Sequence, residues 1–287
     1  MSSVLYDAPG PRAKRRNLLI SVIGGLAVAA LLVFGIARVA ASGQLDPEMW
    51  EMFQYSGIID GILTGLVSTL KAFVLAGVLS LLLAALLAVA RLSDHAPVRW
   101  FATAFIELFR AVPLLITIFV IWAGFLTNQP MWALVLGLTV YNGAVQAEVL
   151  RAGILAVPRG QVEAAYALGM SKTQVMLTIQ IPQAVRAMLP AMISQLVVTL
   201  KDTSLGYIIV YEELLYAGQL IARNTLIDGD NPYVTVIIVI GAVYIAMCMA
   251  LSALASWIER RGRRTRPGVK VAHADAVEVE DALSDGR

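Results

Sequence analysis

Lys201 and Asp202 stand side by side in an apolar run, preceded by VVTL and followed by TSLGYIIV. An ionisable side chain at membrane depth costs about 2.5–3.5 kcal/mol on insertion scales, so such a pair is a functional candidate by default. Adjacent helix residues do not face one another, so the two charges need other partners unless the helix is locally broken. Thr203 and Ser204 carry hydroxyls suited to backbone groups freed at such a break. Two more pairs have i, i+3 spacing: Glu148 with Arg151, and Glu107 with Arg110, the latter followed by Pro113. Each carboxylate can meet its own guanidinium at that spacing, which favours a structural reading.

A second group of residues is set by punctuation. In EAAYALGMSKTQVMLTIQIP (163–182), Ala164, Ala165, Ala167 and Leu168 are strong helix formers. Pro158 suits the start of that helix, and Gly169 suits the positive φ that closes it. Ser171 is placed to cap a second helix, with Gln174 three residues on as its capping-box partner. Pro182 removes a donor and biases Ile181 away from helical geometry. The expectation is helix, glycine turn, capped helix, proline stop. Local physics alone reads this equally as an amphipathic interfacial connector.

The elements that position these residues are membrane spans. Of 287 residues 59% are hydrophobic and only 15% charged, with a mean hydropathy of +0.75. Soluble domains average about 45–50% apolar and about 25% charged. A span needs roughly 20 mostly apolar residues. Six helices are expected, at about 17–40, 62–90, 103–126, 131–150, 186–210 and 233–257, giving an all-α polytopic membrane protein. The basic stretch before the first apolar run suggests a signal peptide, but the run is longer than an h-region and reads as a retained span.

Lys and Arg in short loops set orientation. Arg12, Lys14, Arg15 and Arg16, then Arg91 and Arg99, then Arg151, Arg159, Lys172 and Arg186, and finally the tail from Arg260 fall on one side. Asp46, Glu48, Glu51, Glu212, Glu213, Asp228 and Asp230 fall on the other, with Arg223 the main basic residue there. Both termini are therefore expected in the cytoplasm. Cys248 is the sole cysteine, so no intrachain disulfide forms; His95 and His273 lie far apart, and metal-site spacing is absent. Trp50, Trp100, Trp132, Tyr233 and Trp257 fall near span ends, as interfacial belts do. Gly24, Gly25 and Ala27 in the first span suit helix packing. No GxxxxGK[ST] phosphate loop occurs, so any ATP hydrolysis must come from another chain.

Glu163-Ala164-Ala165, Gly169, Ile179 and Ile181-Pro182 resemble the EAA signature of bacterial ABC importer permeases, with Ile replacing Leu before the proline. ELFRAVPLLITIF (107–119), VYNGAVQAEVLRAGILAVPRGQVEAAYALGMS (140–171) and LKDTSL (200–205) look like the polar amino-acid uptake subfamily. VLYDAPGP together with the extra first span is similar to actinobacterial glutamate permease subunits.

That resemblance implies a five-helix permease core over residues 58–258 with a coupling loop at 156–182. Around it stand a cytoplasmic segment (1–16), an added span (17–40) and a cytoplasmic, disordered tail (259–287). It implies a multi-pass protein of the bacterial cell membrane, not itself an enzyme, that moves a polar amino acid, with glutamate favoured. Its implied partners are a cytoplasmic ABC ATPase dimer, a second permease chain (identical or homologous), an extracytoplasmic amino-acid-binding protein and the lipid bilayer; no nucleic acid is expected. ATP and Mg would be used by the ATPase, and no cofactor is bound by this chain.

Within the coupling loop the resemblance makes Glu163 a charged or capping contact. Ala164 and Ala165 give a close fit, Gly169 the turn, and Ser171 and Pro182 the flanking punctuation. A zwitterionic cargo wants a cation and an acceptor, which Lys201 and Asp202 supply; Thr203 and Glu148 are further substrate candidates. The same Lys201–Asp202 pair serves equally as a gating or interhelix contact. Two other functions remain open at this point. An ion-coupled secondary transporter calls for an internal repeat with paired broken helices, and only one break is visible, near Lys201. A non-transporting membrane scaffold keeps the docking loop but has little need for charges at membrane depth.

Overall fold

The computed structural model describes residues 10–263. The expectations for 1–9 and for the tail beyond 263 lie outside the described residues. Helix α1 spans Pro11–Ala41, starting earlier than the expected 17, with proline in its first turn. After the short α2 (Glu48–Glu51) come α3 (Ser56–Arg91), α4 (Ala96–Ala111), α5 (Leu114–Phe125) and α6 (Pro130–Leu155). Then follow α7 (Arg159–Ala167), α8 (Lys172–Val175), α9 (Ile181–Asp202), α10 (Leu214–Asn224) and α11 (Tyr233–Arg263). A π turn, Met176–Gln180, joins α8 to α9, and a 3₁₀ stretch, Thr203–Ile209, follows α9.

Among the described residues five helical runs are long and apolar enough to cross a membrane, or six if α4 and α5 together count as one. That pair corrects the third expected span, which was continuous. The axis bends by 103° between Ala111 and Leu114. Pro113 drives Val112 out of the helical region, to φ −81° and ψ 130°, because its ring crowds the preceding residue.

Pro182 requires the opposite correction, since it does not stop its helix. The Ile181 N–H bonds to the Met176 carbonyl, five residues back. Pro182 falls just past this register shift, where its missing donor costs little, and α9 runs on to Asp202. Helix α10 was not expected at all.

The chain forms two compact units. One comprises residues up to Leu75, Ile118–Val135 and Asp202–Ala246; the other comprises Ala76–Thr117, Leu136–Lys201 and residues from Met247. In the first, α10 packs closely on α11: a Cβ added to Gly218 would lie 2.6 Å from Ile240 Cγ1. Gln44, in the loop after α1, accepts from the Val234 N–H at 3.2 Å and donates to the Asn231 carbonyl at 3.0 Å. Helix α1 itself buries no residue, and Gly24 and Gly25 face open space within the chain. In the second unit the core is made by Ala84, Leu87 and Ala88 of α3, Ile106 of α4, Ala147 and Ile154 of α6, and Ala184 of α9.

Candidate functional site

The segment 158–182 begins with Pro158 at the N-cap of α7. Gly169 closes that helix at φ +80°. Its N–H reaches the Tyr166 carbonyl at 2.9 Å, and the Met170 N–H reaches the Ala165 carbonyl at 3.2 Å. These two bonds form a Schellman motif, which glycine accommodates because it lacks a Cβ. Ser171 and Gln174 then make the expected capping box: the Ser171 N–H donates to Gln174 Oε1 at 2.7 Å, and the Gln174 N–H to Ser171 Oγ at 3.4 Å. Glu163 and Ala164 are exposed, and Leu168 keeps 84% of its surface accessible. Ala165 is buried, so its small side chain serves the segment's own packing and only Ala164 is open to a neighbour.

Two polar links tie this segment to the spans. Gln183 of α9 donates to Gln161 of α7 at 2.7 Å. Lys172 donates to the Leu92 carbonyl at 3.2 Å and pairs with Asp94 in the loop after α3. That hydrogen bond and the lysine's charge hold the Asp94 carboxyl below its usual range.

Glu148 is brought into a charge cluster. Its carboxylate pairs with Arg151 at 2.9 Å and with Arg91 from the last turn of α3. Arg91 also reaches Glu107 of α4 at 2.9 Å, and Glu107 lies 3.9 Å from Arg110. The i, i+3 pairings were legible in the sequence. Arg91, which joins them, was not.

Lys201, Asp202 and Thr203 stand where α9 gives way to the 3₁₀ stretch, so the local break expected beside Lys201 is present. Lys201 is exposed, Asp202 half-buried and Thr203 fully buried. The stretch ends at Val210, a β-branched residue held at φ +61°, an arrangement rare enough to mark a constrained turn. Beside it an open cavity of about 460 Å³ is lined by Ser68, Gln129, Trp132, Val210, Tyr211 and Glu212.

A polar ladder also escaped the sequence reading. Gln195 of α9 donates to Asn142 of α6 at 2.8 Å, and Gln146, one turn on, donates to Ser80 of α3 at 3.4 Å. Asn142, Gln146 and Ser80 are fully buried. Such amides hold apolar spans together, and the i, i+4 spacing of Asn142 with Gln146 was the available signal. Among the described residues no group of three or more His, Cys, Asp or Glu is placed to hold a metal ion. The arrangement offers charges, hydroxyls and an exposed capped turn, which suits binding and motion more than covalent chemistry.

Comparison with known proteins follows this geometry. Residues 76–264 match the family described as binding-protein-dependent transport system inner membrane component. The glutamate transport system permease protein GluD of Corynebacterium glutamicum is 42% identical over 185 residues, covering 62% of this chain and 66% of that protein. The glutamate/aspartate import permease protein GltK of Escherichia coli O157:H7 is 36% identical over 186 residues, covering 61% and 81%. Among solved structures, a crystal structure of an amino acid ABC transporter with histidines superposes with a TM-score of 0.65 at 32% identity, over 74% of this chain and 98% of that one. The inward-facing MetNI methionine ABC transporter shares the fold, with a TM-score of 0.61 at 19% identity over 74% of this chain and all of that one.

Proposed function

Because the chain belongs to the family of binding-protein-dependent transport system inner membrane components, we propose that it is the permease subunit of an ATP-driven importer whose cargo is glutamate. The observation that carries this reading is the segment 158–175, which folds on its own caps and presents Glu163, Ala164 and Leu168 outward. A rigid, exposed helix–turn–helix of this kind suits docking into a groove on a separate ATPase. The concentration of Lys and Arg in this segment and near both termini supports a cytoplasmic side for all three. The acidic loops then face an extracytoplasmic binding protein that delivers the cargo.

In this mechanism the chain performs no bond chemistry. The ATPase moves the docked segment, and the Gln161–Gln183 and Lys172–Asp94 links pass that motion to α9 and to the loop after α3. Arg91 distributes it to α4 and α6 through Glu107 and Glu148. Glu148, engaged by two arginines, acts here as an anchor. Lys201 and Asp202 at the helix break are the cargo contacts, while Thr203, expected beside them, is fully buried and belongs to the packing instead. A second permease chain completes the pathway, with ATP and Mg handled by the partner ATPase. Glutamate is favoured by the names of GluD and GltK.

The cargo assignment is tested in vesicles holding the permease, its ATPase and binding protein, with radiolabelled amino acids offered in competition. Uptake of label from glutamate, displaced by unlabelled glutamate and not by arginine or glutamine, is expected. Displacement by arginine or glutamine as effective as by glutamate overturns it.

A further inference from the structure

Glu213 precedes α10 and is fully buried, yet neither the docking segment nor the Arg91 cluster involves it. Its carboxylate accepts three hydrogen bonds: from the Leu215 N–H at 2.8 Å, the Tyr216 N–H at 2.9 Å and the Tyr244 hydroxyl at 2.6 Å. The first two are an N-cap. The third goes further than capping requires, because it recruits α11. With its only proton given to Glu213, the Tyr244 oxygen is left as an acceptor beside the hydroxyls of Thr69 on α3 and Thr203. Thr69 Oγ1 in turn accepts from the Leu214 N–H at 3.0 Å.

Thr203 is the first residue of the 3₁₀ stretch and the direct neighbour of Asp202. The far end of that stretch is held as well. Tyr211, just past the left-handed Val210, donates its hydroxyl to the Ser68 carbonyl of α3 at 2.9 Å. Runs of 3₁₀ helix beyond three or four residues are uncommon; this one has seven. A strained turn persists only where its surroundings over-determine it. One end of the break is thus held by the Tyr211 side chain, and Tyr244 stands at the other.

We infer that Glu213 and Tyr244 form a positioning pair: Tyr244, bonded to Glu213 and standing beside the Thr203 hydroxyl, fixes the helix break and thereby sets where Asp202 meets the cargo. The inference rests on the reading of Lys201 and Asp202 as cargo contacts. An ordinary cap would need the Leu215 and Tyr216 bonds alone, and the Tyr244 hydroxyl would be dispensable.

The test uses the whole transporter in vesicles and reads amino acid moved per ATP hydrolysed, alongside the ATPase rate and the melting temperature. Y244F is expected to lower the ratio about fivefold, the size of one lost hydrogen bond, while the ATPase rate stays within about twofold of the parent. E213Q, which keeps the size but loses an acceptor, is expected to do the same. The double variant T203V/Y244F is expected to be no worse than T203V alone, because both remove one link. If D202N leaves the ratio unchanged, the cargo-contact reading falls; if T203V leaves it unchanged, the positioning inference is overturned. If T203V lowers it while Y244F does not, or if their effects multiply, the positioning inference is overturned. Failure of both Y244F and E213Q to assemble would make the pair a folding element and also overturn it.

Discussion

Arg91 and Glu148, 57 positions apart in the chain, form an ion pair in which both side chains are more than four-fifths buried. The same guanidinium holds Glu107, so one residue at the end of α3 ties together α4 and α6. Removing one partner of a buried pair strands the other charge, which is costlier than never having built the pair.

Replacing Glu148 with Gln therefore leaves Arg91 and Arg151 under-compensated. The expected loss is roughly 2–4 kcal/mol of stability, near the range for breaking buried pairs. R91M/E148M, which removes both charges, should recover part of it. Melting of the purified protein in detergent reads both; equal loss in the single and double variants would contradict the pairing.

The legibility of these features followed their range. The Gly169 turn and the Ser171–Gln174 box were readable because caps are made by residues three or four apart, whose chemistry is local. The break beside Lys201 was readable from two adjacent charges set in an apolar run. Pro113 and Pro182 show where local reading fails. Both are prolines in apolar helical sequence, yet one bends its helix and the other sits past a π turn without ending it. The difference is hydrogen-bond register, which residue type does not specify. Arg91, the Asn142–Gln195 contact and the Tyr244–Glu213 bond depend on which helices become neighbours. Hydrophobic runs locate spans and leave their pairing open.

Gly169→Ala isolates the backbone effect, because an added Cβ at this position meets nothing within 4 Å while φ stays at +80°. The expected cost is about 1–2 kcal/mol, the penalty for a side chain in the left-handed region, and Gly169→Asn should cost less. Co-purification of the ATPase, compared across the two variants, checks this. Equal retention by Gly169→Val and the parent, with undiminished uptake, would remove the turn from the docking account.

The Asp94–Lys172 contact has a definite pH window. The folded carboxyl lies below its ordinary value of 3.8, so the contact's contribution is complete above that value and is lost as pH falls through the depressed one. Between about pH 5 and about pH 8 the link should be constant, as followed by the carboxyl resonance of labelled Asp94. Titration of that resonance within this interval would contradict the pairing. The swap D94K/K172D should restore coupling that either single change weakens.

Close helix packing predicts a contrast between two glycines. A Cβ on Gly153 would lie 2.5 Å from Met188 Cγ and 3.3 Å from the Ala184 backbone oxygen. Gly153→Ala is expected to cost about 1–3 kcal/mol by overpacking. Gly25→Ala, in open space on α1, should change stability by no more than about 0.5 kcal/mol. Thermal melting of the two variants side by side reads the difference, and equal shifts would argue against the α6–α9 approach.

The central claim is that an exposed, capped segment receives force from an ATPase and moves an amino acid through this chain. The most direct measurement is uptake into sealed vesicles carrying the permease with its ATPase and binding protein, with ATP supplied on the ATPase side and ionophores added. The account predicts accumulation that requires ATP and survives collapse of the ion gradients. Accumulation without ATP that the ionophores abolish would contradict it.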